Sequence, residues 1–165
     1  YESEKIIKKK FLNKDNMFTI LRLGNVFGFK KYENLREINN NIINNFCISA
    51  MKEKKILITN GSIERTFIPS QIFVQVINTI IKKNFFENSI FNFFYINLSL
   101  KEISKIIQKR AKLIFNLKVE ILIKNYTSKK LNLLYSNNFY EFKPSNKKLY
   151  FEIDRILKNI KKLNK

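Results

Sequence analysis

The sequence contains no histidine, no tryptophan and a single cysteine among its 165 residues. Without histidine, the Ser-His-Asp and Cys-His catalytic sets and the His-Glu-x-x-His zinc motif are excluded. One cysteine without histidine partners leaves no zinc or iron–sulfur site, so we predict no bound metal. A lone cysteine also forms no internal disulfide, which indicates a reducing compartment such as the cytoplasm. Cys47 stands between Phe46 and Ile48, and we expect it in the core.

Glycine and long apolar runs are also scarce. The three glycines are Gly24, Gly28 and Gly61, so the chain has no Gly-x-x-Gly-x-x-Gly turn to hold the phosphates of a dinucleotide. No apolar run is long enough to span a membrane, and the opening residues do not resemble a signal peptide. The chain opens on Tyr1 rather than on methionine, so we expect a fragment of a longer protein. Its length and 45% apolar content predict one globular domain.

The net charge of +19 arises from 32 basic and 13 acidic residues. A basic chain often binds nucleic acid or another anionic partner. Here the basic residues are almost all lysines, and they are scattered rather than clustered, which is typical of a solvated surface. The abundance of Lys, Asn, Ile and Phe also fits a bias toward AT-rich codons. Nucleic acid is therefore disfavoured as the main partner and is kept only as an alternative.

Hydrophobic periodicity predicts helices alternating with short strands, an α/β or α+β pattern. Helical patterns cover the opening residues to about 11 and residues 42–51, 69–81, 99–115 and 150–163. Strand patterns cover residues 18–23, 55–59, 65–68, 89–96 and 119–123. Asn60-Gly61 predicts a turn that joins the second and third of these strands as a hairpin, and 89–96, the most apolar, is predicted to be central. Residues 32–41 are predicted as a loop, and residues 126–142 are assigned no element.

The first 29 residues carry the argument about function. A helix is followed by a buried strand, which ends in a predicted turn at Gly24-Asn25 with a second glycine at Gly28. In open α/β sheets, ligands bind outside the carboxyl ends of the strands. On the helix, Tyr1 and Lys5 are four residues apart and project from one face. An ammonium close to a phenol favours the phenolate, which can exchange a proton with an alcohol.

With Tyr1-x-x-x-Lys5 followed by Arg22-Leu-Gly-Asn-Val-Phe-Gly28, the chain resembles the second half of an extended short-chain dehydrogenase/reductase. More narrowly, it is similar to the NAD-dependent epimerase/dehydratase family, which acts on nucleotide sugars. The resemblance continues at Gly61-Ser-Ile-Glu-Arg65-Thr-Phe-Ile-Pro69, Ile90-Phe-Asn92 and Leu98-Ser-Leu-Lys-Glu-Ile103, and it ends near Phe115.

The resemblance implies an α/β fold, the C-terminal portion of a Rossmann-like doubly wound fold plus the small substrate-binding α/β subdomain. Residues 1–30 would be the end of the Rossmann part. Residues 31–165 would be of mixed origin and would include the substrate-binding subdomain. The N-terminal βαβ units, which hold the adenine half of the dinucleotide, would be missing from this chain. The oligomeric state stays open, although family members often form homodimers through the helix that carries the Tyr–Lys pair.

The resemblance also implies the roles of five residues. Tyr1 would be the acid/base that exchanges the sugar proton while hydride moves to or from NAD or NADP. Lys5 would hold the nicotinamide ribose and lower the Tyr1 pKa. Gly24 would lie beside the nicotinamide, and Asn25 and Arg65 would bind the nucleotide-sugar substrate. The implied activity is that of an epimerase, dehydratase or reductase.

Each of these residues also has a structural alternative. A second Tyr-x-x-x-Lys occurs at Tyr126, so the motif alone is weak. Gly24 and Gly28 could serve the backbone conformation alone, and Asn25 could simply cap its turn. Arg65 could form a surface pair with the neighbouring Glu64.

The chain also departs from the family pattern. The family usually has aspartate at the position of Thr66 and one or two aspartates at Gln71 and Ile72. A non-catalytic member of the same fold, acting as a binding or scaffold protein, therefore stays open beside the enzyme. Arg22, inside its strand, is predicted to be the structural partner of a carboxylate.

Overall fold

The computed structural model describes residues 2–11, 17–28, 41–83, 88–124 and 143–163. In these ranges the predicted alternation of helices and short strands is confirmed. The helices are α1 (Glu2–Phe11), α2 (Ile42–Lys52), α3 (Ser70–Lys82), α4 (Leu100–Phe115) and α5 (Asn146–Leu163). The strands are β1 (Thr19–Leu23), β2 (Asn25–Phe27), β3 (Lys55–Ile58), β4 (Glu64–Pro69), β5 (Ser89–Phe93), β6 (Ile96–Ser99) and β7 (Glu120–Ile123). Of the predicted loop 32–41, residues 32–40 lie outside the described ranges. Residues 126–142, which were assigned no element, also lie outside them.

The strands form three small sheets. β1 pairs in parallel with β5, and β3 pairs in parallel with β7. In the third sheet β4 is central, parallel to β2 on one side and antiparallel to β6 on the other. Parallel neighbours require crossover connections, so each parallel pair joins segments that are far apart in sequence.

Helices α2 to α5 bury the apolar faces that their periodicity predicts, whereas α1 has no buried residue and its Ile6 and Ile7 are exposed. On α3 the buried residues are Ile72, Val76 and Ile80, and on α2 they include Phe46 and Cys47. α5 begins at Asn146 rather than at residue 150. Among the described residues, no helix combines the length and the apolar character needed to cross a membrane.

A capping box starts α4, as the sequence predicts. The hydroxyl of Ser99 accepts a hydrogen bond from the Glu102 backbone N–H at 3.2 Å, and the Glu102 carboxylate accepts one from the Ser99 backbone N–H at 2.8 Å. These bonds satisfy two N–H groups that the first turn leaves without helical partners. Asn116 caps the C-terminal end of α4, and its φ of 50° lies in the left-handed region that asparagine tolerates at helix ends.

Two strand predictions are wrong. The Asn60-Gly61 turn forms, but β3 and β4 do not pair as a hairpin, because β3 takes β7 as its partner and β4 lies between β2 and β6. The apolar stretch 89–96 is two strands, since β5 ends at Phe93 and β6 begins at Ile96 in another sheet. Both strands are apolar, so the pattern hides the break. Within the described residues β5 pairs only with β1, so it is not central there.

The turn predicted at Gly24-Asn25 is also wrong. Only Gly24 separates β1 from β2, and Asn25 is the first residue of β2. The chain passes directly from the β1–β5 sheet into the three-stranded sheet. The Gly24 N–H donates to the Phe93 carbonyl at 3.0 Å, so this single residue still belongs to the hydrogen-bonded edge of the first sheet.

Two apolar clusters fill the interior. The larger one joins α2, α4 and α5 to β3 and one face of the three-stranded sheet, through Phe27 and Phe67. The smaller one lies between α3, β4 and β5 and includes Ile68, Phe93 and Tyr95. The three-stranded sheet therefore lies between the two clusters and is covered on both faces, as expected for parallel strands.

Candidate functional site

The helix of the predicted Tyr–Lys pair is joined to β1 by an ion pair. Tyr1 is outside the described ranges, so its geometry with Lys5 stays a prediction. Lys5 lies on α1, and its side chain is exposed. The helix is tied to the strand through the residue before Lys5: the Arg22 guanidinium donates to both oxygens of Glu4, at 2.9 and 2.7 Å. The predicted carboxylate partner of Arg22 is therefore confirmed, and this hydrogen bond lowers the pKa of Glu4.

Gly24 is packed against Thr66 of β4. A Cβ added at Gly24 would lie 2.6 Å from Thr66 Oγ1 and 3.0 Å from its Cβ, and real Cβ contacts do not approach that closely. Among the described residues no glycine has a positive φ, so close approach rather than unusual backbone conformation explains the glycine here. Thr66, where the family usually has aspartate, is buried and fills the space beside Gly24.

Asn25 does not cap a turn. It starts β2, and its Nδ2 donates to the Thr66 carbonyl at 3.0 Å. The side chain therefore spans from β2 to the central strand β4. The structural alternative predicted for Asn25 is corrected accordingly: the amide braces two strands at the point where the chain enters the second sheet.

Arg65 lies on β4 and is exposed. Its Nη1 donates to the Glu64 carbonyl at 3.1 Å, whereas the Glu64 carboxylate accepts from Asn97 Nδ2 at 3.0 Å. The hydrogen bond from Arg65 thus reaches the backbone of Glu64, while the acidic group of Glu64 is bound across the sheet by β6.

Asn25 and Arg65 share one face of the three-stranded sheet. Asn25 is opposite Phe67 in the parallel register, and Arg65 precedes Phe67 by two residues. Side chains two apart on a strand point to the same face. The edge-on ring contact of Phe27 with Phe67, at 6.3 Å between centroids, marks the same face. Asn25 and Arg65 therefore lie on the Phe67 face of this sheet, whereas Thr66 points to the opposite face, where its side chain packs beside Gly24.

A buried carboxylate at the other end of β2 was not predicted. Glu152 of α5 is 0% exposed; it accepts from Ser70 Oγ at 3.2 Å and from Arg155 Nη1 at 3.5 Å. A Cβ on Gly28 would clash with both Ser70 and Glu152, which gives Gly28 a packing role. The sequence held a signal for Glu152, because it lies on the same helical stripe as Leu149, Ile153 and Ile156.

Cys47 is a core residue, as the sequence predicts. It is 0% exposed in the larger cluster, and burial raises the pKa of its thiol. A thiol that stays protonated is a poor nucleophile and a poor metal ligand. In the described part of the chain, no group of three or more acidic or cysteine side chains could hold a metal ion.

No protein-family model matches the sequence, and no curated protein matches it. Its fold is similar to those of several solved structures, among them UDP-sugar 4-epimerases. UDP-N-acetylglucosamine 4-epimerase from Methanobrevibacter ruminantium M1, in complex with UDP-N-acetylmuramic acid, is 20% identical with a TM-score of 0.67; the match covers 98% of this chain and 51% of that one. RMD from Pseudomonas aeruginosa, complexed with NADPH, is 12% identical with a TM-score of 0.67 and coverages of 97% and 53%.

A third similar structure is a variant of UDP-glucuronic acid 4-epimerase from Bacillus cereus, in complex with UDP-4-deoxy-4-fluoro-glucuronic acid and NAD. It is 16% identical, with a TM-score of 0.64 and coverages of 97% and 50%. The chain spans about half the length of each of these three proteins. The comparisons confirm the predicted fold, a mixed α/β chain that matches the C-terminal half of Rossmann-like epimerases.

Proposed function

We propose that this chain is the C-terminal part of an NAD(P)-dependent enzyme that epimerises, dehydrates or reduces a nucleotide sugar. Residues 1–30 are the end of its dinucleotide-binding part. Residues 31–165 are of mixed origin and include a substrate-binding subdomain. The observation that carries the proposal is the junction at Gly24, where the parallel β1–β5 sheet passes into the sheet that carries Asn25 and Arg65. This junction follows the carboxyl end of β1, where α/β sheets bind ligands.

The donors at this junction suit a diphosphate. Asn25 and Arg65 lie on one face of neighbouring strands, and Arg65 is exposed. A guanidinium offers paired N–H donors that match phosphate oxygens. Thr66 fills the space beside Gly24, so this glycine could contact a ligand only through its backbone. Arg65 therefore fits the diphosphate, whereas the space that a nicotinamide would need beside Gly24 is taken by Thr66, and the adenine half requires residues upstream.

In this proposal Tyr1 exchanges the proton of the sugar hydroxyl through its phenol oxygen. Lys5 favours the phenolate and hydrogen-bonds the nicotinamide ribose. Bound NAD(P) would supply the hydride chemistry at the sugar carbon. Asn25 and Arg65 hold the substrate diphosphate, and the Glu4–Arg22 pair fixes α1, and with it Lys5, against β1. A cytoplasmic location and a homodimer through α1 belong to the same proposal.

The test is a substrate assay on the longer protein that contains this chain. The protein is incubated with NAD or NADP and a panel of nucleotide sugars, and products are separated by chromatography. Arg65→Ala should raise KM for the substrate by roughly tenfold or more, because a charged hydrogen bond is lost, while Lys55→Ala on β3 should leave it unchanged. If no nucleotide sugar binds, the proposal is wrong.

Two alternatives give different results in the same experiments. A non-catalytic binding or scaffold protein, suggested by Gln71 and Ile72 where the family usually has aspartate, would bind the nucleotide sugar without converting it. A nucleic-acid-binding module would show affinity for polyanions that falls steeply with salt. Absence of retention on a polyanion column at physiological salt would dispose of that module.

A further inference from the structure

The outer face of α5 carries a cavity lined by donor groups. Arg155, Lys158, Asn159 and Lys162 line a cavity of about 190 Å³. Their spacing of three, four and seven residues from the first places all four on one stripe of the helix. The opposite face of α5 packs into the larger core cluster through Leu149, Ile153, Ile156, Leu157 and Ile160. This buried face holds the donor stripe in place.

The lining of this cavity is rich in hydrogen-bond donors and in positive charge. A guanidinium and two ammonium groups are donors only, and no carboxylate is among the four lining residues. The Nδ2 of Asn159 is buried and has no hydrogen-bond partner within the described ranges. Buried donors normally have an acceptor. An acceptor for Asn159 that also carries negative charge would satisfy the whole lining.

The charges along the stripe also favour an anion. Lys158 and Lys162 are one helical turn apart, and like charges at this spacing repel. Arg155 already contacts a carboxylate, because its Nη1 lies 3.5 Å from Glu152 Oε2. Glu152 is on the buried side of α5 and does not line the cavity. Within the described ranges, neither Lys158 nor Lys162 forms a salt bridge.

A second cationic groove, lined by α4 and by Tyr150 of α5, provides a comparison. It measures about 330 Å³ and is lined by Lys105, Ile106, Lys109, Arg110, Leu113 and Tyr150. There the Arg110 guanidinium donates to Asp154, with Nε at 2.7 Å from Oδ1, and this bond raises the pKa of Arg110. In both grooves one arginine binds a carboxylate outside the lining, but among the described residues only the Lys158 groove has a buried amide donor without a partner, so Lys109 is a suitable internal control.

We propose that the Arg155–Lys158–Asn159–Lys162 stripe of α5 is a binding site for a phosphate-type anion, either inorganic or carried on a small molecule. Three cations surround the oxygens, and the Asn159 amide donates to one of them. Charge-assisted hydrogen bonds to phosphate oxygens are short and strong. The site uses none of the residues assigned to the nucleotide-sugar reaction, so it stands or falls independently of that proposal.

Site-resolved lysine labelling tests the proposal on the intact protein. An amine-reactive reagent is applied with and without sodium pyrophosphate at constant ionic strength, and modified peptides are quantified by mass spectrometry. At a pyrophosphate concentration tenfold above Kd, the labelling rates of Lys158 and Lys162 should fall by roughly tenfold. The rate at Lys109 should not change. Equal rates with and without pyrophosphate, or equal protection at all three lysines, would overturn the proposal.

Two further arms sharpen the result. A nucleoside diphosphate replaces pyrophosphate in a parallel series: protection by both anions supports a general phosphate site, and protection by the nucleotide alone assigns the phosphate to a small-molecule carrier. Asn159→Asp replaces the donor by an acceptor of the same shape and should abolish protection. The control Asn78→Asp makes the same change on the exposed side of α3 and should keep it. Full protection in Asn159→Asp would contradict the assigned role of the amide.

Discussion

The guanidinium of Arg22 on β1 binds both oxygens of the Glu4 carboxylate on α1, at 2.9 and 2.7 Å. Glu4 directly precedes Lys5, and Arg22 lies three residues before Asn25. The pair therefore connects the helix assigned to proton transfer with the strand that leads to the proposed substrate site. It is partly exposed, so its contribution to stability is small and its main effect is on the placement of α1.

Loss of this pair should affect activity more than stability. In the longer protein, Glu4→Gln or Arg22→Gln should barely change the free energy of unfolding, because solvent screens the pair, and should lower kcat by roughly tenfold, because misplaced catalytic groups react slowly. Urea unfolding and steady-state kinetics measure both quantities. Glu2→Gln on the same helix is the control. A normal kcat in both variants would show that the pair does not position α1.

Gly24→Ala should destabilise the protein, because its Cβ would meet Thr66 at 2.6 Å. Overpacking of this kind costs about 1–3 kcal/mol. Thr66→Ala in the same chain should restore part of the loss, since it removes the Oγ1 that causes the nearest contact.

The matched control is Gly61→Ala, whose Cβ would lie at least 3.4 Å from its neighbours, an ordinary contact. Urea denaturation of the parent protein and of these three variants measures the effect. Equal stability of the Gly24 and Gly61 variants would contradict the packing argument.

Glu152→Ala should be among the more damaging substitutions in α5. It leaves the Ser70 hydroxyl and part of the Arg155 guanidinium without their acceptor and empties a fully buried position. Loss of a hydrogen bond at the partly buried Ser70 costs about 1 kcal/mol, and the cavity left by the fully buried Glu152 side chain adds to that.

Thermal unfolding of Glu152→Ala is compared with that of Glu120→Ala, an exposed change on β7 that should lie within about 0.5 kcal/mol of the parent. Glu152→Gln, which keeps an acceptor for Ser70, should lose less than Glu152→Ala. If Glu152→Ala were as stable as the parent, the carboxylate would have no structural role.

The α4 capping box should weaken in acid. The hydrogen bond from the Ser99 side chain lowers the pKa of Glu102 below its usual 4.5. A carboxyl whose pKa is lower in the folded state stabilises the fold above its unfolded pKa, and that stabilisation is lost as pH falls through the folded value. Stability measured from pH 7 to pH 3 should therefore fall less in Glu102→Gln than in the parent. Parallel curves for the two proteins would refute this.

Local signals predicted the helices and the capping box because these depend on neighbours in sequence. The partners of β3 and β4 could not be predicted, since the Asn60-Gly61 turn fixes a change of direction but not which strand lies alongside. The break between β5 and β6 was hidden because both strands are apolar. The partnership of Arg22 with a carboxylate was predicted, but the sequence did not identify Glu4 among the candidates.

The candidate site was predicted only as a set of residue types. The family resemblance selected Gly24, Asn25 and Arg65, and the structure places Asn25 and Arg65 on one face of the three-stranded sheet and Gly24 beside Thr66 on the other. That grouping depends on the parallel register of β2 and β4, which no local pattern encodes. Glu152 was overlooked because a carboxylate in a lysine-rich helix suggests a surface residue, although its position on the apolar stripe indicates burial.

The most direct test of the central claim is the turnover of Tyr1→Phe in the longer protein. Removing the phenol oxygen should lower kcat by roughly 10²–10⁴-fold, the usual contribution of a general acid/base, with NAD(P) still bound. Tyr126→Phe, in the second Tyr-x-x-x-Lys of the chain, should retain normal turnover. Unchanged turnover in Tyr1→Phe would contradict the assignment of this chain to Tyr–Lys nucleotide-sugar chemistry.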